Sequence, residues 1–355
     1  MTYKQTLFFI GQSLTINHEE HNKNLIKKQL ESKTVNWESL VKLSTAHYVF
    51  PAVYYNFKHA SLLSYLPNDL VSYMKHIANL NRERNQQIIT QAKEINNLLL
   101  KNGIKPIFLK GTGSLLDGLY KDIGERMVGD IDFIVSKNEY NKTVEILKKD
   151  GYARINKGLI GFHRHYPPLI KENNIAAVEI HSQLLKEKHT SKLNYEIIKK
   201  NIQEIDSVHV LSFEDQFCLT TLVHQINDNG YAFKSISLRK AYDTFLLSKK
   251  CKTKNAISKY NKKSYEIINC FIAVIDLVFN NVDSFTILDS KKKNSYIKKF
   301  NKRLSDPKKD QLKRSFVKKI SSVNLLLNLA LKSLTKREYS VYVIKKTIEK
   351  IKNLF

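Results

Sequence analysis

Cysteine is scarce in this sequence, and long apolar runs are absent. The 355 residues include 3 cysteines, Cys218, Cys251 and Cys270, which offer neither a disulfide framework nor the paired spacing of a zinc site. The apolar patch in the opening stretch MTYKQTLFFIGQSL is too short and too interrupted for a signal peptide. No apolar run approaches the roughly 18 residues that a transmembrane helix needs. We therefore expect a cytoplasmic protein with no transmembrane segment.

Acidic residues are few relative to basic ones. The chain has 33 Asp and Glu against 59 Lys and Arg, which gives a net charge of +26. The last 105 residues, from Cys251 onward, hold 25 basic and 8 acidic residues and so carry +17 of that charge. Such a region suits binding to nucleic acid or to anionic lipid. A composition rich in Lys, Asn and Ile, in which lysine fills the exposed helix faces, explains the charge equally well, and both explanations stay open.

Helical periodicity dominates the first hundred residues. Trp37, Leu40 and Leu43 follow helical spacing, and Pro51 suits the first turn of the next helix. The stretch 68–102 opens on Asn and Asp and closes before Gly103, which predicts one long helix or two in line. We expect residues 1–100 to form a helical leader that packs on a catalytic core.

The periodicity changes after Gly103. IKPIFLKG and GDIDFIVS are typical of strands, KNEYNKTVEILKKDGY of an amphipathic helix, and IGFHRHYPPLI and IAAVEIHSQLL alternate around a KENN turn. From about residue 211 the helical period returns, with Ser212 as its N-cap. These patterns predict an α+β fold with a mixed-sheet catalytic core at 101–210 and a helical lobe at 211–355, strongly basic after residue 250.

The GDIDFIV stretch places two aspartates inside an apolar strand. Asp130 and Asp132 share one face of that strand, about 7 Å apart, and repel each other. Mg²⁺ is the expected counter-ion, because it takes hard oxygen ligands and completes its coordination with phosphate oxygens and water. A pair of solvated aspartates at a strand edge is the alternative interpretation.

Two neighbouring motifs favour the metal. The LKGTGS motif, around residues 110–114, leads from a strand into a helix, where free backbone N–H groups favour a phosphate. Downstream, VEIHSQLL puts Glu179 and His181 on one strand face, so that Glu179 can supply a third carboxylate. Three acids beside a phosphate-binding turn predict an in-line displacement at phosphorus assisted by two metal ions.

The stretch GIKPIFLKGTGSLLDGLYKDIGERMVGDIDFIV resembles the signature of the uncharacterised nucleotidyltransferase family, the fifth nucleotidyltransferase group of the DNA polymerase beta-like superfamily. In that family an LKG motif is followed by a tyrosine and then by an arginine just before GDID. The matching positions here are Lys110, Gly111, Tyr120, Arg126, Gly129, Asp130 and Asp132. The similarity runs from about residue 35 to about residue 250, with Glu179 where the family usually has aspartate.

The resemblance implies a polymerase-beta-like fold and an enzyme that moves a nucleoside monophosphate from a nucleoside triphosphate, such as ATP, to an acceptor hydroxyl with release of pyrophosphate. It implies Mg²⁺ or Mn²⁺, two ions in all, held by Asp130, Asp132 and Glu179. The expected nucleotide-binding residues are Lys110, Gly111, Thr112, Gly113, Ser114 and Arg126. A structural pairing of Arg126 with carboxylates is the alternative for that residue. Supporting or purely structural roles are expected for His181, His224, Arg239 and Asp243.

The sequence leaves the acceptor open. An RNA such as tRNA fits the basic C-terminal region, whose aromatic residues are either stacking platforms or core: Tyr296, Phe300, Phe316, Tyr339 and Tyr342. A small molecule, a sugar or a protein side chain also fits. The second hypothesis is a catalytically silent module of the same fold that binds nucleic acid or an anionic membrane surface. Three converging acids argue against this second hypothesis, because a module that only binds has no use for them.

Overall fold

The structure is a computed structural model that describes residues 1–154, 164–260 and 262–306, together with residues 312 and 315. The chain divides into two compact units, Met1–Asn301 and Lys302–Phe355. The sheet and the site described below belong to the first unit. The predicted boundaries near residues 100 and 210 fall inside that unit and stay predictions.

Five α-helices precede the first strand. They are α1 (Tyr3–Ser13), α2 (Glu20–Glu31), α3 (Trp37–Ala46), α4 (Phe50–His59) and α5 (Asn68–Lys101). Pro51 lies in the first turn of α4, as predicted. The predicted long helix is also confirmed, because α5 runs without a break for 34 residues. Gly103 follows it at a φ of 74°, a left-handed conformation that glycine adopts without strain.

Within the described residues, seven strands form one mixed sheet. They are β1 (Ile107–Phe108), β2 (Asp130–Ile134), β3 (Ala153–Arg154), β4 (Leu169–Ile170), β5 (Ala177–His181), β6 (Ile202–Ile205) and β7 (Val208–Leu211), in the spatial order β3-β4-β5-β2-β1-β7-β6. Strand β2 runs antiparallel to β1 and parallel to β5. The mixed sheet with its many helices confirms the predicted α+β fold.

The other described helices lie between the strands or follow the sheet. They are α6 (Lys110–Leu116), α7 (Tyr140–Lys149), α8 (Tyr195–Ile198), α9 (Phe213–Leu222), α10 (Gly230–Phe233), α11 (Leu238–Ser248), α12 (Thr253–Ser258), α13 (Lys262–Phe279) and α14 (Lys291–Leu304). Ser212 caps α9 as predicted, since its hydroxyl accepts from the Asp215 N–H. A π-helical turn, Val223–Asn227, follows α9. None of the helices described is both long and apolar enough to cross a membrane.

Side chains of α5 fix the loop that leads into β2. The amide of Asn81 donates to the carbonyl oxygen of Gly124 at 2.7 Å, and that of Asn85 donates to the carbonyl oxygen of Arg126 at 2.7 Å. Helix α2 also contacts α13, because Asn22 donates to the carbonyl oxygen of Phe279 at 2.7 Å. The first hundred residues therefore contact both the loop before β2 and helix α13.

Two features differ from the sequence expectation. Lys110 begins α6 instead of ending β1, and its φ of 53° is unusual for a residue other than glycine. The β6–β7 hairpin was not predicted, because its strands have four residues each and become a sheet edge only through pairing with β1. Part of the predicted strand before KENN lies outside the described residues. Phe316, Tyr339 and Tyr342 also lie outside them.

Candidate active site

Two parallel strands bring the predicted acids to one face of the sheet. Strands β2 and β5 pair so that Asp132 lies directly opposite Glu179. Residues two positions apart share a strand face, so Asp130 and His181 project from this same face. Phe133 points the other way and is fully buried in the core. The alternation predicted from sequence therefore holds, and the register of the two strands decides which acids meet.

Asp132 is the centre of this group. It is 2% exposed, and its Oδ1 accepts a hydrogen bond from Lys110 Nζ at 2.5 Å and lies 2.6 Å from His181 Nε2. Burial by itself would raise the pKa of Asp132, but the ammonium of Lys110 and the imidazole of His181 outweigh it and hold that pKa below its usual range. Asp132 is therefore a buried, ionised carboxylate at neutral pH.

Glu179 faces the same point from the neighbouring strand. Its Oε2 lies 3.7 Å from His181 Nε2, 3.7 Å from His165 Nε2 and 4.0 Å from Lys110 Nζ. The potential ligand atoms of Asp132, Glu179 and His181 all lie within 4.8 Å of one another. Among the described residues, this is the one group of at least three acidic or histidine side chains whose ligand atoms lie close enough together to hold a metal ion.

Asp130 lies beside that group instead of within it. Asp130 lines the adjoining cavity, and burial, together with the charges of Asp132 and Glu179, raises the pKa of its carboxyl group to about 6. Its backbone carbonyl accepts from the Thr112 hydroxyl at 2.9 Å. The structure thus brings Asp132 and Glu179 together as predicted, adds His181 to them, and leaves Asp130 facing the open space in front.

A cavity beside Asp130 and Asp132 lies between strand β2 and the helices α9 and α11. Five of its lining residues are basic: Lys110, Arg126, Arg164, Arg239 and Lys240. Four are acidic: Asp130, Asp132, Asp228 and Asp243. Sequence reasoning missed Arg164, Asp228 and Lys240. The available signals were weak, namely the four-residue spacing from His224 to Asp228 and the adjacency of Lys240 to Arg239.

Arg126 is held by Asp243. Its Nε and Nη2 donate to the two carboxylate oxygens of Asp243 at 2.9 to 3.1 Å, and its Nη1 donates to the carbonyl oxygen of Met127 at 2.7 Å. The Tyr120 hydroxyl donates to Asp243 Oδ1 at 2.7 Å. The structure therefore shows the carboxylate pairing that the sequence left as an alternative, while Arg126 still borders the cavity.

The LKGTGS residues mainly pack α6 against the sheet. Lys110 and Gly111 line the cavity. Thr112, Gly113 and Ser114 are buried, and a Cβ on Gly113 would lie 2.9 Å from the carbonyl oxygen of Phe108. The Ser114 hydroxyl donates to the carbonyl oxygen of Lys110 at 2.9 Å. The predicted role of residues 112–114 in nucleotide binding stays a prediction.

Helix α11 contributes cations to the cavity, and the residues before it contribute their partners. The Arg239 guanidinium lies over the Tyr48 ring, 4.8 Å from its centroid, and donates to the carbonyl oxygen of Met127 at 3.3 Å. His224 is buried and does not line the cavity. Its Nδ1 lies 3.8 Å from Asp228 Oδ2, which also accepts a hydrogen bond from Lys240 Nζ. His224 therefore contacts the site through Asp228.

The comparison with protein families identifies the chain. A family model described as an uncharacterised nucleotidyltransferase matches residues 33–263, a range that contains both acid-bearing strands and every residue lining the cavity. Searches of the curated proteins and of the solved structures gave no match. Because the match spans well over half of the chain and includes the whole site, this protein belongs to the uncharacterised nucleotidyltransferase family.

Proposed function

We propose that this protein is a metal-dependent enzyme that transfers a nucleoside monophosphate from a nucleoside triphosphate, such as ATP, to an acceptor hydroxyl. The acceptor oxygen forms a bond to the α-phosphorus, the bond from that phosphorus to the bridging oxygen of the β-phosphate breaks, and pyrophosphate leaves. One observation carries the proposal. The buried Asp132 lines a cavity with five basic side chains, and the partly buried Glu179 lies opposite it on the paired strand, in a chain of the nucleotidyltransferase family.

The donor groups present fit a divalent metal. Asp130, Asp132 and Glu179 offer carboxylate oxygens, the ligands that Mg²⁺ and Mn²⁺ take from proteins, and we propose that they hold two such ions. When bound, the metal supplies polarisation of the α-phosphate and charge neutralisation on the departing pyrophosphate.

The basic side chains of the cavity suit the triphosphate. Arg239 and Lys240 lie in the first turn of α11, where the helix dipole is also positive, and Lys240 pairs there with Asp228. Burial lowers the pKa of both side chains, so an anion in the cavity would relieve an unfavourable charge. Lys110 and Lys240 already pair with Asp132 and Asp228, so Arg164, Arg239 and the bound metal would supply the positive charge for a triphosphate.

Asp130 is the group we assign to the acceptor proton. It lines the cavity, and a carboxylate that binds an ion through one oxygen keeps its second oxygen for a proton. Asp130 can therefore accept the hydroxyl proton as the new bond to phosphorus forms. We also propose a cytoplasmic location, because that compartment keeps thiols reduced and Cys218, Cys251 and Cys270 are free thiols.

We propose RNA as the acceptor. The exposed face of α14 carries Lys291, Lys298 and Lys299, whereas Tyr296 and Phe300 are buried and serve as core. Replacing all three lysines with glutamate should weaken RNA binding. It should also reduce the slope of log K for RNA binding against log salt concentration by about two, since each phosphate contact with a single strand contributes roughly 0.7 to that slope. Unchanged binding and slope would leave a small molecule, a sugar or a protein side chain as the acceptor.

The activity itself is tested by incorporation of label. The wild-type chain is incubated with each α-labelled nucleoside triphosphate, Mg²⁺ or Mn²⁺, and cellular RNA, protein or metabolites. Asp132→Asn should reduce incorporation by a factor of about 10² to 10³ or more, because it removes a charge at the centre of the site. The matched control is Asp283→Asn, which changes an exposed aspartate far along the chain. Equal incorporation by D132N and D283N would refute the proposed site.

A further inference from the structure

His181 occupies the point where the two carboxylates of the site approach each other. Its Nε2 lies 2.6 Å from Asp132 Oδ1 and 3.7 Å from Glu179 Oε2, and its side chain is 1% exposed. Its Nδ1 lies 3.4 Å from the carbonyl oxygen of Gln183. A backbone carbonyl behind one ring nitrogen is the usual partner of a metal-bound histidine, because it keeps the proton on that nitrogen and leaves the other to the metal.

The space among these three groups already accommodates a positive charge. Lys110 Nζ lies 2.5 Å from Asp132 Oδ1, 3.4 Å from His181 Nε2 and 4.0 Å from Glu179 Oε2. The same lysine lines the cavity, so its ammonium has a second place to lie, among phosphates. A cation at this point is therefore compatible with the surrounding charges, and an ion that arrives there would replace the ammonium.

The donor atoms are close enough to share one ion. They lie within 4.8 Å of one another, and two ligands on one ion at about 2.1 Å are at most about 4.2 Å apart. Small side-chain rotations close that difference. Imidazole nitrogen is a poor ligand for Mg²⁺, which prefers oxygen, and a good one for first-row transition metals.

Resting on the proposed function, we propose that His181 is a direct ligand, with Asp132 and Glu179, of one divalent ion of the site. The site then selects a first-row transition-metal ion such as Mn²⁺ over Mg²⁺. The nitrogen must give up the proton that it shares with Asp132 when the ion binds. Asp130 faces the cavity and contributes its oxygens on the substrate side of that ion.

The test uses Mn²⁺ as the probe and needs no turnover. Pulsed electron paramagnetic resonance of the full chain loaded with Mn²⁺ should show modulation from a coordinated ¹⁴N nucleus. That modulation should change on labelling histidine with ¹⁵N, a measurement that requires no mutation. His181→Gln should abolish the modulation and reduce the preference for Mn²⁺ over Mg²⁺ by roughly tenfold or more in titrations with each ion.

Two matched variants complete the design. His165→Gln removes the other imidazole near Glu179, and His209→Gln removes a buried histidine that pairs with Glu204 elsewhere in the sheet. Both should keep the ¹⁴N modulation. Loss in H165Q but not in H181Q would overturn the assignment, as would bound Mn²⁺ with no nitrogen coupling in the wild-type protein. In that last case the proposed function stands on oxygen ligands alone, whereas failure of the wild-type protein to bind any divalent ion would remove both.

Discussion

Arg126 and Asp243, 117 residues apart in the chain, form a buried bidentate ion pair. The pair joins the loop before β2, which carries the GDID motif, to the middle of α11, which carries Arg239 and Lys240. The hydroxyl of Tyr120 donates to the same carboxylate. The two sides of the cavity are therefore tied together by a charge pair that lies in its wall.

Breaking this pair should destabilise the protein. Asp243→Asn leaves the Arg126 guanidinium buried without a counter-charge, and we expect a loss of about 3 to 5 kcal/mol in the free energy of unfolding. The double variant R126M/D243M should lose less than D243N, because no charge remains buried alone. Urea unfolding measures both. A double variant that is less stable than D243N would mean that packing, and not the buried charge, dominates here.

Lys110→Met should strengthen the binding of divalent ions. The ammonium of Lys110 competes for the Asp132 oxygen, so its removal should lower the dissociation constant of Mn²⁺ by about tenfold, or ~1.4 kcal/mol. Binding of the nucleoside triphosphate should weaken, since a cavity cation is lost. Calorimetric titration of each ligand separates the two effects.

The control for that variant is Lys105→Met, which removes an exposed lysine of the same segment. Its affinities for Mn²⁺ and for the triphosphate should match those of the wild-type chain. An unchanged affinity for Mn²⁺ in K110M would contradict competition at Asp132.

Glu125 should make stability depend on pH. It is buried and accepts from the Tyr242 hydroxyl at 2.7 Å, and burial raises its pKa from 4.5 to about 7. The folded state therefore binds this proton more tightly than the unfolded state. The resulting stabilisation is fully present below about pH 4.5 and is lost as the pH rises to about 7.

Glu125→Gln removes this titration. The free energy of unfolding of E125Q minus that of the wild-type chain should rise by about 3 kcal/mol between pH 4.5 and pH 7. Urea unfolding at several pH values gives the difference. The control for the loss of one carboxylate is Glu83→Gln, which replaces an exposed glutamate. A difference for E125Q that does not change with pH would show that Glu125 is ionised in the folded protein at all these pH values.

Two glycines of the signature should respond differently to alanine. A Cβ at Gly113 would lie 2.9 Å from the carbonyl oxygen of Phe108, so Gly113→Ala should cost about 1 to 3 kcal/mol of stability. Gly129 has open space around it, with nothing within 4 Å of the added Cβ, and Gly129→Ala should change stability by no more than about 0.5 kcal/mol. Thermal and urea unfolding of both variants test the contrast, and equal effects would contradict the close packing of α6 on β1.

Local rules account for what the sequence predicted correctly. The two-residue alternation of β2 places Asp130 and Asp132 on one face whatever the strand pairs with. The end of α5 before Gly103 and the cap of α9 at Ser212 follow from backbone geometry within a few residues. The LKG and GDID motifs likewise sufficed to indicate the family, which the match over residues 33–263 confirms.

The tertiary structure decided which groups meet. His181 and Asp132 are 49 residues apart, and their contact depends on the parallel register of β5 with β2, which no local pattern encodes. The cations Arg164 and Lys240 reach the cavity from separate elements, and Lys110 reaches Asp132 only because α6 begins at that residue. Strand order and helix placement are set by burial of the whole core, so the sequence by itself determined the acids and their faces, and the packed fold determined their partners.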